Sequence, residues 1–491
     1  MVDDLHIDAQ MDLKQTLTFD RQGKNVGLHC NLRSIGFVSF PDLHSLIFMS
    51  TRSKRWFAIT LAILMVIITV SGGGATAQQP PFRPVLFPKA SIPRNTPALP
   101  PAPSWNQTPI LVPPSAPDPG MTPTINIPTL PVVPAIPRTE IRGVWMTNND
   151  LPMLENRSKV RNAMSQLRSL NFNTIYPVVW NSGYVNFPSA VASRYGIQPF
   201  VRRGTDGHDI LADLVNQAHG QNLLVIPWFE FGFMVPQTSE LATLHPEWLT
   251  QTRDGSQVSG GPAGEVAWLN PFHADVQRFL TELVMEAVTN YDIDGVQFDD
   301  NLGLPREFGY DAYTKALYQQ ETKKIPPSNV ADGAWVKWRA DKITLFVKQL
   351  NQAVKSRKPK AIFSISPNYY DHAYKLTLQD WLNWVRQGFV DEVIMQVYRS
   401  DLNSFTAKIN RPEILESQQR VSTAIGILTG LRRRPVSIEQ IKSQTRTAQQ
   451  RGLGISYFYY ESLWEDAPEN VIDRIAGFQS LFPNSVVRPR G

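Results

Sequence analysis

The amino-acid sequence predicts an α/β fold of the (β/α)8 (TIM) barrel class, and two features after Pro137 support this prediction. Eight short apolar runs alternate there with amphipathic segments. Strands that are separated by crossover helices pair in parallel, and eight such units within about 350 residues are typical of a barrel with insertions. A doubly wound sheet is the competing fold. It usually has fewer units, and residues 145–149 after the first run do not form a glycine-rich phosphate loop.

The spacing of apolar residues gives the bounds of the predicted elements. The predicted strands are Arg142–Thr147, Thr174–Trp180, Leu223–Glu230, Asp294–Asp299, Ala361–Pro367, Glu392–Tyr398, Ser422–Leu428 and Gly454–Glu461. The predicted helices between them include Arg157–Leu170, His208–His219, Ala274–Asn290, Trp335–Lys355, Leu378–Gln387 and Ile438–Arg451. Active sites of such barrels lie at the C-terminal ends of the strands, so functional side chains are expected there.

Residues 49–77 have the pattern of a secretory signal peptide. Three basic residues at positions 52–55 precede an apolar run from Phe57 to Val70, and Ala75-Thr76-Ala77 follows. The run is shorter than the roughly 20 residues that span a bilayer, so a cleaved signal is expected, with an uncleaved membrane anchor as the alternative. We therefore expect an exported protein, periplasmic, at the cell surface or secreted, whose only membrane contact is through this segment.

The segments on either side of the signal are interpreted separately. Because the signal segment begins with a methionine, Met49, residues 1–48 are interpreted as a mis-assigned start of translation, with a genuine cytoplasmic tail as the alternative. The stretch from Pro80 to Pro137 contains 19 of the 39 prolines, which predicts a disordered, extended linker over residues 78–137. The folded barrel is expected over residues 138–485.

The composition excludes several classes of function. A formal net charge of +5 over 491 residues is too small to indicate nucleic-acid binding. The single cysteine, Cys30, excludes intramolecular disulfides and cysteine-based zinc sites. Since no convergent set of metal ligands occurs near the strand ends, no metal and no cofactor are expected.

Aromatic side chains and carboxylates or amides dominate the predicted strand ends. Aromatic faces stack on the apolar C–H faces of sugar rings, whereas carboxylates and amides bind hydroxyls and can cleave glycosidic bonds. Packing inside the barrel is the alternative explanation for the aromatic residues. A glycosidase-like barrel with a carbohydrate polymer as its partner is therefore predicted. The predicted substrate-binding residues are Trp145, Asn148, Tyr176, Trp180, Trp228, Gln297, Asn368, Tyr369, Gln396, Tyr398, Tyr459 and Trp464.

Asp299 is the predicted centre of the chemistry. The fourth predicted strand ends in two adjacent acids, Asp299 and Asp300. Side chains alternate along a strand, so Gln297 and Asp299 share one face, which is expected to line the barrel. Asp300 begins the following loop and is the second candidate from this strand. A capping role is the structural alternative for it.

Two glutamates compete as the catalytic partner of Asp299. Glu230 and Glu461 each follow an aromatic-rich predicted strand. By alternation Glu230 shares a face with Trp228, and Glu461 shares one with Tyr459. Either can serve as the general acid, and the sequence does not choose between them.

Several motifs, in this order, resemble the glycosyl hydrolase-like 10 family of bacterial proteins. They are EIRGVW at 140–145, LNFNTI at 170–175, WLNP at 268–271, YDIDGVQFDD at 291–300, SISP at 364–367 and MQVY at 395–398. The resemblance covers residues 138–481 and implies a glycosidase-type barrel in which Asp299 and Asp300 match paired acids. It also implies that some relatives act on bacterial cell-wall glycan. This sequence has Gln297 where many relatives have histidine.

The leading hypothesis is a glycoside hydrolase that acts on a polysaccharide, including peptidoglycan glycan strands as a candidate substrate. Asp299 is expected to act as nucleophile or main electrostatic stabiliser, with Glu461 or Glu230 as general acid. The alternative is a non-catalytic carbohydrate-binding barrel at the cell surface, because a fold alone does not establish catalysis.

Overall fold

Eight parallel strands form the centre of the structure, a computed structural model that describes residues 140–198, 208–261, 264–465 and 467–488. In chain order the strands are β1 (Arg142–Met146), β2 (Thr174–Pro177), β3 (Leu224–Val225), β4 (Gly295–Asp299), β5 (Ile362–Ser366), β6 (Glu392–Gln396), β7 (Ser422–Leu428) and β8 (Gly454–Phe458). Their spatial order is β3-β2-β1-β8-β7-β6-β5-β4. This is the order of a barrel that is opened between β3 and β4.

The ring closes between β3 and β4 through backbone hydrogen bonds at and beyond the end of the short strand β3. Asp294 N donates to Val225 O at 2.9 Å, and Gln297 N donates to Pro227 O at 2.8 Å. Phe229 N then donates to Gln297 O at 2.8 Å. The eight strands therefore surround a common axis, and the predicted (β/α)8 barrel is confirmed.

Helices connect the strands and cover the barrel. They are α1 (Leu151–Leu154), α2 (Arg157–Ser169), α3 (Ala190–Arg194), α4 (Ile210–His219), α5 (Glu240–Leu244), α6 (Ala274–Asn290), α7 (Ala312–Thr322), α8 (Gly333–Arg357), α9 (Tyr370–Thr377), α10 (Trp381–Arg386), α11 (Leu402–Ile409), α12 (Pro412–Arg420), α13 (Ile438–Gln449), α14 (Tyr460–Trp464) and α15 (Val471–Leu481). Short hairpins pair residues 180–181 with 184–185 and residues 430–431 with 434–435. After β3, a small antiparallel sheet pairs Met234–Pro236, Gly264–Trp268 and Val258–Gly261.

The two faces of β4 show how strand alternation separates the helix layer from the barrel interior. Val296 and Phe298 are fully buried in the large apolar cluster that the strands share with the helices. Gln297 is buried on the opposite face, where its Oε1 accepts from Trp145 Nε1 at 2.6 Å and its Nε2 donates to Ser364 Oγ at 2.9 Å. Asp299 is therefore carried toward the interior at the C-terminal end of the barrel.

A buried ion pair fills the lower interior of the barrel, which is the end where the strands begin. Arg488, from the tail after α15, donates through Nη2 to Glu392 Oε2 at 2.5 Å and through Nη1 to Thr174 Oγ1 at 2.9 Å. Tyr176 donates its hydroxyl to Glu392 Oε1 at 2.8 Å. The predicted domain ends at residue 485, whereas Val486 and Arg488 also contact the barrel.

Every predicted strand except Ser422–Leu428 extends beyond the observed one, most of all Leu223–Glu230, of which only Leu224–Val225 is strand. β2 ends at Pro177, although Val178 N still donates to Met146 O at 2.8 Å, and Trp180 lies in the following hairpin. β8 stops at Phe458, because Ser462 Oγ accepts from Tyr459 N at 3.0 Å and helix α14 begins. Glu461 is therefore a helical residue, and its expected alternation with Tyr459 along a strand is wrong.

The predicted extension 1–48, the signal 49–77 and the linker 78–137 lie outside the described residues. Among the residues that are described, no helix is both long enough and apolar enough to cross a membrane.

The Arg488–Glu392 pair predicts a large effect on stability. In Arg488→Met the Glu392 carboxylate stays buried without its cation, and we expect the free energy of unfolding to fall by about 3–5 kcal/mol. Urea denaturation followed by tryptophan fluorescence measures this change. Arg386→Met breaks the exposed Arg386–Glu416 pair and is the matched control, with an expected loss of at most about 1 kcal/mol. Equal stability of Arg488→Met and wild type would show that the tail does not enter the barrel.

Candidate active site

Three carboxyl groups meet at the C-terminal mouth of the barrel. Asp299 is the last residue of β4, Asp300 follows it, and Glu230 lies in the turn after β3. The backbone closure between β3 and β4 brings these two strand ends together, and Asn301 Nδ2 donates to Glu230 O at 2.8 Å. Among the electrostatic influences on Asp299, the charges of Asp300 and Glu230 are the largest. The three groups therefore form one acidic cluster.

Asp299 is the most deeply buried member of the cluster. Its Oδ2 accepts from Trp228 Nε1 at 3.2 Å, and its Oδ1 accepts from Asn301 N at 2.9 Å. Burial, followed by repulsion from Asp300 and Glu230, raises the pKa of Asp299 well above its usual range. The two hydrogen bonds oppose this rise but do not cancel it. A carboxyl group in such surroundings is a candidate for acid–base chemistry.

Asp300 also points into the cluster, which strand alternation did not predict. Its Oδ2 accepts from Asn368 Nδ2 at 3.1 Å, and its Oδ1 accepts from Gln396 Nε2 at 3.1 Å. Asn368 follows β5 and Gln396 ends β6, so Asp300 connects β4 to the next two strands. Both predicted amides therefore lie at the site, each as a donor to one carboxylate.

Glu230 occupies the other side of the cluster. Its carboxyl group accepts from Asn181 Nδ2, a donor that comes from the hairpin after β2. Burial is the main reason why the pKa of Glu230 rises to about 7, with repulsion from Asp300 adding to it and the Asn181 hydrogen bond opposing it. Glu230 is thus half-protonated near neutral pH, which suits a general acid.

Aromatic rings surround the carboxyl groups. Tyr398 and Phe458 are partly exposed, with ring centroids 5.3 Å apart. Trp145 and Trp228 lie 6.0 and 6.3 Å from the Phe458 ring, and the Tyr459 ring is 5.5 Å from it. Burial and the charges of the three acids raise the pKa of Tyr398, which places its hydroxyl group in their field.

Glu461 lies in a different environment from Glu230. Its carboxylate accepts from Arg432 Nη2 at 2.8 Å and from the Tyr459 hydroxyl at 3.1 Å. Its backbone N–H donates to Asp150 Oδ1 at 2.8 Å, and burial raises the pKa of Asp150 to about 7. The structure therefore brings Glu230, rather than Glu461, together with Asp299 and Asp300.

Four predicted substrate-binding residues are engaged elsewhere. Tyr176 is fully buried in the lower interior, where it binds Glu392. Trp180 packs on α6 at 5.7 Å from the Phe279 ring, and Trp464 packs at 5.7 Å from the Phe478 ring of α15. Tyr369 lies on the rim beneath Lys408, whose Nζ is 3.9 Å from its ring centroid. Asn148, in contrast, reaches the site indirectly by donating to Asn181 Oδ1 at 2.6 Å.

Three residues of the site were not among the predicted site residues. Asn181 and Asn301 hold Glu230 and the Asp299 carboxylate, and Phe458 joins the aromatic surface. A search for amides beyond each apolar run would have included Asn181 and Asn301. Among the described residues no group of three or more histidine, cysteine, aspartate or glutamate side chains is arranged to hold a metal ion.

Comparison with known proteins identifies similar sequences and a similar fold. The chain is 24% identical over 298 residues to the glycosyl hydrolase YngK of Bacillus subtilis, an alignment that covers 53% of this chain and 54% of that protein. It is also 24% identical over 298 residues to the glycosyl hydrolase DigH of Escherichia coli K12, with 52% and 65% covered. The chain thus spans between half and two thirds of the length of these relatives.

The glycoside hydrolase domain of PgaB (BpsB) from Bordetella bronchiseptica has a similar fold. The TM-score is 0.52 at 16% sequence identity, and the match covers 71% of this chain and all of that one. A family model described as Glycosyl hydrolase-like 10 matches residues 140–448, from two residues before β1 into α13. The resemblance that the motifs predict is confirmed, and this chain belongs to the glycosyl hydrolase-like 10 family.

Proposed function

We propose that this barrel hydrolyses glycosidic bonds in a polysaccharide, with Glu230 as general acid and the Asp299–Asp300 pair as the opposing negative charge. The observation that supports this most is the acidic cluster itself. For Asp299 and for Glu230, burial and neighbouring carboxyl groups outweigh the hydrogen bonds that favour ionisation. Burying acids in this way costs stability, and proteins retain such groups chiefly where they do chemistry.

The proposed roles follow from the surroundings of each group. Glycosidases need one protonated carboxyl to protonate the departing oxygen and one carboxylate to stabilise or attack the anomeric carbon. Glu230, whose pKa lies at about 7, is the proton donor. The Asp299–Asp300 pair, whose carboxyl groups repel each other, is the proposed source of the negative charge that faces Glu230.

The aromatic residues of the mouth support a sugar as the substrate. Tyr398 and Phe458 are partly exposed beside the acids, and amides and carboxylates alternate with them. Apolar faces next to hydrogen-bonding groups match a sugar ring, which has C–H faces and equatorial hydroxyls.

Peptidoglycan glycan strands are the first substrate to test. The relatives named above are called glycosyl hydrolases, and residues 49–77 have the pattern of an export signal followed by a proline-rich linker. We propose that the protein is exported and acts outside the cytoplasm. A mature N-terminus near Gln78, determined by mass spectrometry, would support export, and an intact N-terminus would favour an anchor.

Substitutions of the acids test the catalytic proposal. Glu230→Gln removes the proton donor and Asp299→Asn replaces one carboxyl group of the acid pair by a neutral amide, so we expect each to lower kcat/KM by about 10²–10⁴-fold. Glu461→Gln is the matched control, because Glu461 binds Arg432 outside the cluster, and it should stay close to wild type. Product release from a panel of purified glycans, cell-wall strands included, is measured by mass spectrometry.

The outcomes of this experiment separate the candidate functions. Wild-type activity in Asp299→Asn would contradict the catalytic role assigned to the Asp299–Asp300 pair. Loss of activity in Glu461→Gln alone would transfer the acid role to Glu461. A wild-type protein that binds glycans but cleaves none would favour the non-catalytic carbohydrate-binding barrel.

The raised pKa of Glu230 also predicts how stability changes with pH. The folded-state pKa of about 7 lies above the ordinary value of 4.5, so the folded state holds the proton more tightly. The contribution of this tighter proton binding to the free energy of unfolding is complete below pH 4.5 and is lost as the pH rises through 7. Glu230→Gln lacks this loss, and we expect it to exceed wild type by up to about 3 kcal/mol at pH 8, with the difference vanishing near pH 4. Urea unfolding at the two pH values measures it, and a pH-independent difference would contradict it.

A further inference from the structure

A chain of asparagine side chains leads from the backbone just after β2 to Glu230. Asn186 Nδ2 donates to Val178 O at 3.1 Å and to Asn148 Oδ1 at 3.1 Å. Asn148 Nδ2 donates to Asn181 Oδ1 at 2.6 Å, and Asn181 Nδ2 donates to the Glu230 carboxyl group. These bonds link the loop after β1, the hairpin after β2 and the turn after β3.

The backbone carbonyl of Val178 fixes the direction of every bond in this chain. A carbonyl oxygen can only accept, so Asn186 must turn its NH2 group toward it and toward Asn148 Oδ1. Asn148 then has only its NH2 group to offer to Asn181. The Oδ1 atom of Asn181 therefore accepts, and its NH2 group faces Glu230.

A second contact uses the same oxygen of Asn181. The Ser182 hydroxyl donates to Asn181 Oδ1 at 2.5 Å, so this oxygen receives two hydrogen bonds. If the Asn181 amide were rotated by half a turn, Ser182 could accept from it instead, but the bond from Asn148 would be lost and an oxygen would face the Glu230 carboxyl group. Donation from Asn181 stabilises the carboxylate, whereas an oxygen in its place would bind only the protonated acid.

We propose that Asn181 is a positioning residue that aims and tunes the Glu230 carboxyl group, and that Asn148 and Asn186 act by fixing the orientation of the Asn181 amide. The proposal rests on the function proposed above, in which Glu230 is the general acid. The charged and titratable groups that face Glu230 are Asp300 and Asp299 from the end of β4 and Tyr398 from the end of β6. Because these groups are acids, Asn181 is the contact that opposes burial and repulsion at Glu230.

The consequence is a defined change in the dependence of activity on pH. Loss of the Asn181 donor raises the pKa of Glu230 further, so the acid keeps its proton at higher pH. The alkaline limb of the kcat profile then shifts to higher pH. At the same time kcat at the optimum falls, because the carboxyl group is no longer held in its orientation. A role in folding alone would lower the amount of active enzyme at all pH values without moving this limb.

Two substitutions test the chain from its two ends. Asn181→Leu removes the donor. Asn148→Asp is nearly isosteric, yet its carboxylate can only accept, so the Asn181 amide must turn and present its oxygen to Glu230. For both variants we expect the alkaline limb to shift to higher pH by on the order of one pH unit. Asn156→Asp is the matched control, because Asn156 is an exposed helix cap that aspartate replaces equally well, and its limb should stay in place.

The pH profiles of kcat and kcat/KM are measured for the full chain on the glycan that wild type cleaves, with Glu230→Gln measured beside them. A shift of the alkaline limb to higher pH in Asn181→Leu and Asn148→Asp, and not in Asn156→Asp, supports the proposal. Unmoved limbs in both variants, with Glu230→Gln inactive, overturn it and leave the proposed function intact. A Glu230→Gln variant as active as wild type overturns the proposed role of Glu230 as general acid, on which this inference rests.

Discussion

The structure depends on the closure of the barrel at Gln297. The backbone of this residue joins β4 to the chain beyond β3, through Pro227 O at 2.8 Å and Phe229 N at 2.8 Å. Its fully buried side chain crosses the interior, from Trp145 at 2.6 Å to Ser364 at 2.9 Å. A hydrophobic residue here would leave the buried Trp145 N–H without its partner, which is costly in a dry interior, whereas Ser364 would keep its bond to Glu392. Because the closure fixes the end of β4 against the turn after β3, it also fixes which acids face each other.

The two ends of the barrel treat buried carboxylates in opposite ways. At the lower end Glu392 has Arg488 at 2.5 Å and two hydroxyl donors, so its charge is compensated. At the mouth Asp299 receives two N–H donors and Glu230 receives one, and both face another acid, Asp300. The first arrangement leaves no uncompensated charge, whereas the second raises the pKa of Asp299 and Glu230 and weakens the fold where they ionise. The presence of a cation distinguishes the two ends.

The sequence predicts this site correctly only where a local pattern, such as the alternation of side chains along a strand, still applies. Strand alternation holds within β4, so it predicts correctly that Gln297 faces the interior. It ends with the strand, so it could not predict that Asp300 turns to Asn368 and Gln396.

The choice between Glu230 and Glu461 also lay outside the reach of local rules. It depends on contacts between residues that are distant in sequence. Helix α14 begins directly after β8 and takes Glu461 to Arg432, whereas the closure of β3 against β4 takes Glu230 to the acids.

The loops of the mouth are held by two buried arginines, which bind mainly backbone carbonyls, and Arg474 also forms an ion pair with Glu469 at 3.1 Å. Arg474 is fully buried and donates to Thr429 O at 2.8 Å, Ser462 O at 3.0 Å and Leu463 O at 2.8 Å, which ties the end of β7 to helix α14. Arg339 does the same for the loop after β4, through Phe308 O at 2.6 Å and Val330 O at 3.0 Å. A guanidinium group has five donors in a rigid plane, so one side chain can fix several carbonyls at once. Stabilising a developing charge requires groups that are already in place, because any rearrangement adds to the barrier. These arginine–backbone hydrogen bonds allow the acids at the mouth to stay in place, although their mutual repulsion would push them apart.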